Sequence, residues 1–460
     1  MRRRVQKSYS LIRRGVVLVL AMVFLAVFSV LSLSMATMSG TNLQIAENHR
    51  TANAALSATE SGLDACRYWL SDLSVPFSLP ASERLTTVAN YLQSKLNDAN
   101  MSTNFSFDGS EIAISPINLG SQSSRSFAAA IQQIDSDTLQ LEIIGTNGQV
   151  SRTINTHFAF VSRANPIFDY GVATGGPLRM TGNTGLEVAV KSNVYIGGGG
   201  VNHALDMQGK SKISSDVSIH ESYPSISLSS NATIGGQSGQ EAIDNHVATG
   251  VEEVVFPVPD VGSFAQYVQN VVDANTDTSA DLTLDNIVIA AGTNPTFTGN
   301  VTLRGIVFIE QPNIVTFSGN TSVTGIIIGN GDVQAPSDLN QINFSGNVST
   351  YDVSALPVED KFTGLKDKEG SFLLAPGFSA SFKGNASINN GVIAANGISF
   401  SGNAGGNVNG TLMNYSQNNT VSLSGNSNLF LTPTGTFNNP AGFPPVKALE
   451  YVPSSYSVCY

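Results

Sequence analysis

Five oxygen-bearing side chains stand at alternate positions in one polar stretch: Asp273, Asn275, Asp277, Ser279 and Asp281. Alternating carboxylate, amide and hydroxyl oxygens are the ligand pattern of a calcium loop. The match is partial, because Thr278 replaces the turn glycine of such a loop and Leu284 replaces its bidentate glutamate. The stretch therefore predicts either a calcium site or an ordinary polar loop.

Cysteine chemistry is limited to Cys66 and Cys459. In an oxidising compartment the two thiols can pair, and the bridge would tie the C-terminal tail to the N-terminal part of the chain. The alternative is two unpaired thiols, with Cys66 packed as a small apolar residue. Both interpretations stay open at the level of sequence.

Patterns of catalytic residues are weak. The five histidines show no metal-ligand spacing, and the sequence has neither a nucleophile elbow nor a phosphate-binding glycine loop. We therefore predict a protein that is not an enzyme, with no cofactor besides the candidate calcium. Acids that the fold brings together, such as Asp216 with Glu221 or Glu310 with Asp332, would permit a glycan-cleaving enzyme. Solvated turn acids are the simpler interpretation.

A repeat of the form apolar-x-Gly-Asn runs through the second half of the chain. Its clear copies begin at Phe297, Phe317, Phe344, Phe382, Phe400 and Leu423. A short strand with a recurring glycine corner is typical of a parallel β-helix, in which equivalent side chains of successive coils stack. We predict a β-helix over residues 166–430 with an internal phenylalanine stack. An antiparallel sandwich is the alternative.

The asparagine of each repeat predicts a hydrogen-bonded ladder along one corner of the β-helix. Its members are Asn300, Asn320, Asn347, Asn385, Asn403 and Asn426. Two interruptions, residues 236–291 and 351–370, predict insertions, and the first has an apolar face from Phe264 to Val272 that predicts an amphipathic helix. The proline-containing residues 431–460 predict a cap over the last coil.

The region before the repeats predicts a different plan. Residues 39–97 predict a helical stalk, because proline is absent from Thr41 to Leu73 and apolar residues recur at helical spacing between positions 85 and 96. Residues 98–165 predict a small antiparallel β module. Alternating apolar residues flank the turn dipeptides Asp108-Gly109 and Asn147-Gly148 in two hairpin patterns.

Charge separates the N-terminus from the rest of the chain. The sequence has 34 acidic and 23 basic residues, and six of the basic ones precede the first acid. An acidic body without a basic, aromatic-rich patch argues against nucleic-acid binding. Charged residues make up only 12 % of the chain, while glycine is abundant. This composition favours many short strands, so the fold class is mainly β.

An uncharged apolar run begins at Val16, directly after the basic residues. A helix over residues 16–38 would be about 35 Å long, which is enough to cross a bilayer. The one-sided basic flank predicts a single-pass anchor with a cytoplasmic N-terminus and an exported body. The alternative is a cleaved secretory signal ending near Ala36, although the apolar run is longer than such signals usually are.

Residues 13–73 resemble the N-terminal region of PilX-type minor pilins from bacterial type IV pilus systems. Asn48-His49-Arg50 looks like the family's Asn-x-Arg stretch, and Ala58-Thr59-Glu60-Ser61-Gly62-Leu63 looks like its Ala-x-Glu-x-Gly-Leu stretch. Arg13-Arg14-Gly15 is similar to the end of a prepilin leader. An unrelated single-pass anchor with a stalk is the alternative interpretation.

The resemblance implies processing and partners. A prepilin peptidase would remove residues 1–15 by cutting between Gly15 and Val16, and the helix would then pack with other pilins. The location would be the bacterial cytoplasmic membrane, with the body periplasmic or extracellular. Leu20 departs from the family pattern, because most pilins have glutamate five residues into the mature chain. In lacking this glutamate, the sequence resembles tip-located pseudopilins.

The expected function is that of a pilin-like minor or tip subunit of a type IV pilus or a related secretion pseudopilus. Its β-helix would serve assembly or contact with a glycan or another surface. The alternative function is a membrane-tethered β-helix enzyme or binding module that acts on polysaccharide.

Overall fold

A computed structural model of the chain describes residues 12–459 except 72, 121–123, 189, 193–202, 390 and 434–438, and only the backbone of residues 12–15, 191 and 192. Residues 1–11 of the expected leader lie outside the described residues. The chain divides into two compact units. The first unit comprises Met1–Val161 with Ala448–Tyr460, and the second comprises Ser162–Lys447.

Two helices belong to the first unit. Helix α1 runs without a break over Ile12–Leu70, and helix α2 spans Ala81–Asp98. The α1 sequence contains no proline, so no residue interrupts its backbone ladder. In α2, Val88, Leu92 and the other apolar residues of one face are buried against the core of the unit.

A seven-stranded sheet completes the first unit. Its strands, in spatial order, are Ser74–Pro76, Val446–Cys459, Val150–Arg163, Thr138–Asn147, Arg125–Gln133, Glu111–Asn118 and Phe105–Phe107. The last five strands pair antiparallel in consecutive order. The structure contains both hairpins expected from the sequence, and the turn residues Gly109 and Gly148 have φ of 98° and 63°. A short 3₁₀ helix covers Ser102–Asn104.

The C-terminal strand Val446–Cys459 corrects the prediction of a cap over residues 431–460. This strand lies between Ser74–Pro76 and Val150–Arg163 in the sheet of the first unit. The Ser455 hydroxyl accepts a hydrogen bond from the His157 backbone N–H at 2.7 Å. The edge of the long strand Val150–Arg163 supplies backbone partners, which a cap would lack. The first unit is therefore built from both ends of the chain.

The second unit contains two large sheets. The nine-stranded sheet is formed by Leu178–Gly182, Leu205–Gly209, Ile226–Leu228, Thr296–Phe297, Asn313–Phe317, Asn340–Phe344, Ser379–Phe382, Ile398–Phe400 and Val421–Gly425. The nineteen-stranded sheet is formed by Val172–Thr174, Gly185–Glu187, Val190–Ser192, Lys212–Ile213, Val217–Ile219, Thr233–Ile234, Gln237–Ser238, Val247–Thr249, Asn270–Val272, Leu282–Ile289, Asn300–Glu310, Asn320–Asn330, Asn347–Tyr351, Ser371–Ala375, Asn385–Ile388, Val392–Ala395, Gly405–Val408, Leu412–Asn414 and Asn428–Leu431. The sheets are largely parallel, and their inward side chains form one hydrophobic core.

Parallel register aligns equivalent positions of successive repeats. Asn300–Glu310 pairs with Asn320–Asn330 along its whole length, which places Gly305 opposite Gly325. The strands do not follow sequence order throughout. Val172–Thr174 pairs on one side with Val190–Ser192 and on the other with Leu412–Asn414. The first repeat of the unit thus lies beside one of the last.

Residues 236–291 contain helix α3 at Gly239–His246 and a 3₁₀ helix at Val261–Tyr267. The predicted amphipathic helix through Val272 is wrong, because Asn270–Val272 is a strand that pairs in parallel with Leu282–Ile289. Adjacent β-branched residues at 271 and 272 favour the extended backbone over a helix. The predicted insertion, residues 236–291, also included the strand Leu282–Ile289, which is part of the nineteen-stranded sheet.

A second hydrophobic cluster covers the outer face of part of the nineteen-stranded sheet. Phe264 from the first interruption and Phe362 from the second are buried with Ile306 and Ile326 of the sheet. The second interruption, residues 351–370, contains 3₁₀ helices at Val353–Ala355 and Asp360–Phe362, and another 3₁₀ helix covers Pro166–Asp169.

Candidate functional site

The N-terminal half of α1 is apolar and fully exposed. Its side chains from Val16 to Ile45 have no packing partner within the described residues, and Leu20 is 57 % exposed. The helix is long and apolar enough to cross a membrane. Gly15 belongs to the same continuous helix. An exposed apolar helix of this length requires lipid or another helix around it.

The C-terminal half of α1 packs on the antiparallel sheet. Ala55, Ala58, Leu63, Cys66 and Leu70 are buried there. The Thr59 hydroxyl donates to the Ala55 carbonyl at 2.9 Å and lies 3.1 Å from the Arg152 carbonyl. One helix thus has two environments, with the change near residue 54.

Close approach of helix and sheet depends on glycine. A Cβ atom at Gly62 would lie 2.7 Å from the Phe127 ring and 2.8 Å from the Ile143 side chain. A Cβ at Gly145, on the facing strand, would collide with Thr59. These contacts explain why the Ala-x-Glu-x-Gly-Leu stretch contains small residues. The sequence marked Gly62 through that motif but gave no sign of its partner Gly145.

A groove opens where α1 leaves the sheet. It has a volume of about 950 Å³ and is lined by Glu47, Arg50 and Thr51 of the helix and by Arg125 and the turn around Gly148. Arg50 pairs with Glu47 at 2.7 Å on the solvent side of the helix. The Asn-x-Arg stretch therefore lies at the junction between the exposed and packed halves of α1.

Cys66 and Cys459 are free thiols, so the disulfide interpretation is wrong. Cys66 is buried under the sheet, and burial raises the pKa of its thiol to about 12. Cys459 is exposed at the end of the C-terminal strand, where its sulfur lies 3.6 Å from the Asn155 amide nitrogen. The interpretation with two unpaired thiols describes this structure.

Three of the candidate calcium ligands accept hydrogen bonds from nearby residues. Asp273 accepts the Asn275 backbone N–H at 2.9 Å, and Asp277 accepts the Ser279 hydroxyl at 2.6 Å and the Ser279 backbone N–H at 2.9 Å. Asp281 instead turns to Asn300. These hydrogen bonds hold the pKa of each carboxyl below its ordinary value. Within the described residues, no group of three or more histidine, cysteine, aspartate or glutamate side chains is placed to hold a metal ion.

The asparagines of the repeat lie in one row. The Nδ2 atom of each donates to Oδ1 of the preceding member at 2.9 Å for Asn320 to Asn300, 2.8 Å for Asn347 to Asn320, 3.1 Å for Asn385 to Asn347, 3.4 Å for Asn403 to Asn385 and 3.4 Å for Asn426 to Asn403. Asn300 continues the row to Asp281, with Nδ2 at 2.9 Å from Oδ1. The row thus ends in a carboxylate.

The phenylalanines of the repeat stack inside the second unit. Ring centroids are 5.1 Å apart for Phe297 and Phe317, 5.0 Å for Phe317 and Phe344, 5.0 Å for Phe344 and Phe382, and 4.8 Å for Phe382 and Phe400. The ring planes are within 14° of parallel, and all five rings are buried. The buried stack and the exposed row of asparagines both link equivalent positions of successive repeats.

An ion cluster that the sequence did not predict joins the nineteen-stranded sheet to the second interruption, residues 351–370. Asp285 accepts from Arg304 Nε at 2.6 Å and from Lys361 Nζ at 2.8 Å. The hydrogen bond from Arg304, with that from Lys361, holds the pKa of the Asp285 carboxyl below its ordinary value despite partial burial. Buried Asn286 donates to the Lys361 carbonyl at 2.7 Å. No sequence motif connects positions 75 residues apart.

The acids considered for glycan cleavage fall in two places. Glu310 and Asp332 line one open cavity of about 380 Å³ together with Gln311. Asp216 instead pairs with His246 Nδ1 at 2.8 Å. The structure therefore brings one of the two pairs to a common cavity.

Comparison with known proteins identifies the N-terminal region. Residues 14–64 match the PilX N-terminal family. This match covers the exposed half of α1 and the start of its packed half. Residues 14–64 are therefore a pilin-related region, as their resemblance to PilX-type pilins implied. No curated protein matches the chain.

Two solved structures are similar to the chain at low identity. The competence-associated pilin ComZ from Thermus thermophilus is 10 % identical, with a TM-score of 0.22, over 89 % of this chain and 97 % of that one. An ice-binding protein from the Antarctic ascomycete Antarctomyces psychrotrophicus is 12 % identical, with a TM-score of 0.23, over 58 % of this chain and 96 % of that one. TM-scores this low carry no functional argument.

Proposed function

We propose that this chain is a minor subunit of a type IV pilus or related secretion pseudopilus, built into the assembly through α1. The observation that carries the proposal is the division of α1 into two environments within the region of the PilX N-terminal match. The packed half fixes the helix to its sheet, and the apolar half offers a surface that lipid covers before assembly and neighbouring pilin helices cover afterwards. The basic residues before it favour a cytoplasmic N-terminus.

Maturation is the first step of this proposed function. A prepilin peptidase cuts between Gly15 and Val16, which releases residues 1–15 and leaves a mature chain that begins inside the exposed apolar helix. The free helix can then leave the bilayer and pack laterally with other pilins.

The residue at position 20 supports a place at the tip. A glutamate inside an apolar helix bundle needs a charged partner, because an unpaired charge in lipid is costly. Leu20 needs none, and it cannot neutralise the N-terminal amine of an adjacent subunit. A subunit without this glutamate fits the tip of the filament, where no further subunit lies above it with an amine to neutralise.

The second unit is proposed to be a parallel β-helix that the assembly displays. Three features support it: the parallel register of equivalent residues, the phenylalanine stack and the row of asparagines. Its role is contact with other subunits or with an external surface such as a glycan. The role is non-enzymatic, because the recurring phenylalanines and asparagines of the repeats serve packing and hydrogen bonding between repeats.

The N-terminus of the mature protein tests the proposal. Mass spectrometry of the chain from cells with an active prepilin peptidase should show loss of residues 1–15, and cells without the enzyme should retain them. The matched control is Gly15→Leu, which should block the loss without changing the fold of either unit. A chain that keeps residues 1–15 in both strains would contradict a pilin role.

A membrane-tethered module acting on polysaccharide is the second candidate, favoured by the cavity that contains Glu310 and Asp332. Paired carboxylates can serve as acid and base in glycoside hydrolysis. Purified chain should then depolymerise an acidic or neutral glycan, and Glu310→Gln should remove that activity. Absence of depolymerisation with normal N-terminal processing supports the pilin role alone.

A further inference from the structure

One parallel strand of the second unit has an edge without a strand partner. In Leu282–Ile289, residues 287–289 pair with Asn270–Val272 on one side and with residues 307–309 on the other. Residues 282–285 pair only with residues 301–304. Within the described part of the chain, no strand pairs with their outer side. This outer side of residues 282–285 is called the open edge.

The chain covers the outer side of this strand at one end of the open edge. Before the strand, Thr278 bonds towards the paired side: its Oγ1 donates to the Thr296 carbonyl at 2.9 Å, and the Thr298 N–H donates to the Thr278 carbonyl at 3.1 Å. At the other end, Asn270 Nδ2 donates to the Asp285 carbonyl at 2.8 Å. Because Asn270 covers the outer side only at Asp285, the residues before Asp285 form a local gap about one short strand long.

The apolar side chains of the open edge are incompletely covered. Leu282 and Leu284 are only partly buried, whereas the paired residues Val301 and Leu303 of the next strand are 2 % and 0 % exposed. One more strand in parallel register would cover Leu282 and Leu284, as the neighbouring strands cover Val301 and Leu303. Such an addition gains both backbone hydrogen bonds and apolar burial.

Asp281 marks the place where the row of asparagines stops. Its Oδ1 atom accepts from the Asn300 backbone N–H at 2.8 Å and from Asn300 Nδ2 at 2.9 Å. No described residue donates to Oδ2. A strand added at the open edge would place its own residue on the side of Asp281 opposite Asn300, where a cationic side chain can donate to this oxygen.

The charge around the open edge selects the added residue. The sequence has no lysine or arginine between Lys212 and Arg304, and Arg304 and Lys361, which reach this strand, are paired with Asp285. Asp273 and Asp277 lie exposed in the loop before Asp281. A cationic side chain therefore finds a favourable potential at Asp281, and an acidic one is repelled.

We propose that the open edge binds an extended cationic segment of a partner protein by β-strand addition, with a lysine or arginine of that segment paired with Asp281. The following residues alternate between apolar side chains over Leu282 and Leu284 and small polar side chains that face solvent. This interaction goes beyond assembly through α1 and does not depend on it.

Peptide binding to the full-length chain in detergent micelles tests the interaction. The probe is a fluorescent peptide with the sequence of residues 297–305, because that sequence already fits the other side of this strand. Its ladder asparagine is changed by N300K in one peptide and by N300E in the other. Fluorescence anisotropy should show at least about tenfold tighter binding of the N300K peptide.

Variants of the chain separate the edge from general electrostatics. Asp281→Asn should weaken binding of the N300K peptide about fivefold, as expected for one exposed ion pair. Asp281→Lys should reverse the preference between the two peptides. The matched control is Asp277→Asn, which removes the same charge from a carboxylate that bonds within its own turn, and it should change binding less than about twofold.

Several results would overturn the proposal. These are no binding of either peptide, equal affinity for both, or equal losses in Asp281→Asn and Asp277→Asn when circular dichroism shows that both variants are folded. Self-association of the chain that Asp281→Asn strengthens would also overturn it, because the carboxylate would then keep the edge unpaired.

Discussion

The two units bury their apolar side chains by different routes. In the first unit, alternating strands joined by hairpins form a sheet against α1, and the strand Val446–Cys459 arrives from the far end of the sequence. In the second unit, side chains such as Phe317 and Phe344 stack on their own equivalents in neighbouring repeats. The first unit depends on distant segments, whereas each repeat of the second depends on its neighbours.

This difference indicates how each unit responds to damage. Loss of one strand from the first unit exposes an edge in a small sheet and removes part of its core. A change in one repeat of the second unit acts mainly on the repeats beside it, because stability in a repeat array is approximately a sum of local and neighbour terms. The comparison therefore predicts global effects in the first unit and local effects in the second.

Removal of the C-terminal strand should have the largest effect. Truncation after Pro445 deletes Val446–Cys459 and leaves the edge of Val150–Arg163 unpaired, with an expected loss of about 5 kcal/mol or more from the first unit. Limited proteolysis should then degrade the first unit and spare the second. Truncation of residues 457–460 alone is the control and should leave both units resistant. A protected first unit without the strand would break the comparison.

Phe344→Ala should destabilise the second unit by about 3–5 kcal/mol, because it leaves a cavity between two stacked rings. Denaturant unfolding followed by hydrogen exchange should locate the loss in the adjacent strands. Phe430→Ala is the matched control, since that ring is 46 % exposed, and it should cost less than about 1 kcal/mol. Uniform loss of protection across both units would argue against local coupling.

Gly62→Val should destabilise the first unit by about 2–3 kcal/mol, because the new side chain meets Phe127 and Ile143. Gly40→Ala serves as the control in the same helix, since no atom lies within 4 Å of the added Cβ. It should be neutral or stabilise the helix by up to about 1 kcal/mol. Thermal unfolding in detergent distinguishes the two, and equal midpoints would contradict close packing at Gly62.

Asp285→Asn should cost about 1–2 kcal/mol at neutral pH, because Arg304 loses its carboxylate partner and Lys361 keeps only Glu359. The folded-state pKa of Asp285 is lowered, so its contribution is present above the unfolded pKa and disappears as pH falls through the folded pKa. Denaturant unfolding of wild type and variant should therefore converge at strongly acidic pH. A difference that persists unchanged there would exclude the ion cluster as its cause.

Asn347→Ala should have the smallest effect, about 1 kcal/mol, because it removes two exposed side-chain hydrogen bonds of the row. The control is Asn407→Ala, an exposed asparagine of the strand Gly405–Val408 that lies outside the row. Denaturant midpoints should shift only for Asn347→Ala. Equal shifts would show that the row adds nothing beyond the intrinsic preference of each position.

Sequence reasoning found the features whose information is local. The turns at Gly109 and Gly148 and the repeats at Phe317 and Phe344 have short patterns that specify them, and the structure contains both kinds of element. The helix expected through Val272 failed because apolar spacing over a few residues fits either a helix or a strand.

The pairing of strands that are far apart in the chain could not be predicted from the sequence. Nothing in residues 446–459 states that their partner strand begins at Val150, and nothing in Val172–Thr174 states that Leu412–Asn414 will lie beside it. The ion pair between Asp285 and Lys361 was missed for the same reason. Such contacts depend on the closure of long loops, and no local periodicity encodes them.

The division of α1 is the central claim, and site-specific crosslinking in cells tests it most directly. A photocrosslinking amino acid in place of exposed Leu31 should form adducts with another pilin, and only when the prepilin peptidase is active. The same amino acid in place of buried Ala58 should give no such adducts. Adducts from both positions, or from neither in cells that assemble filaments, would contradict the account.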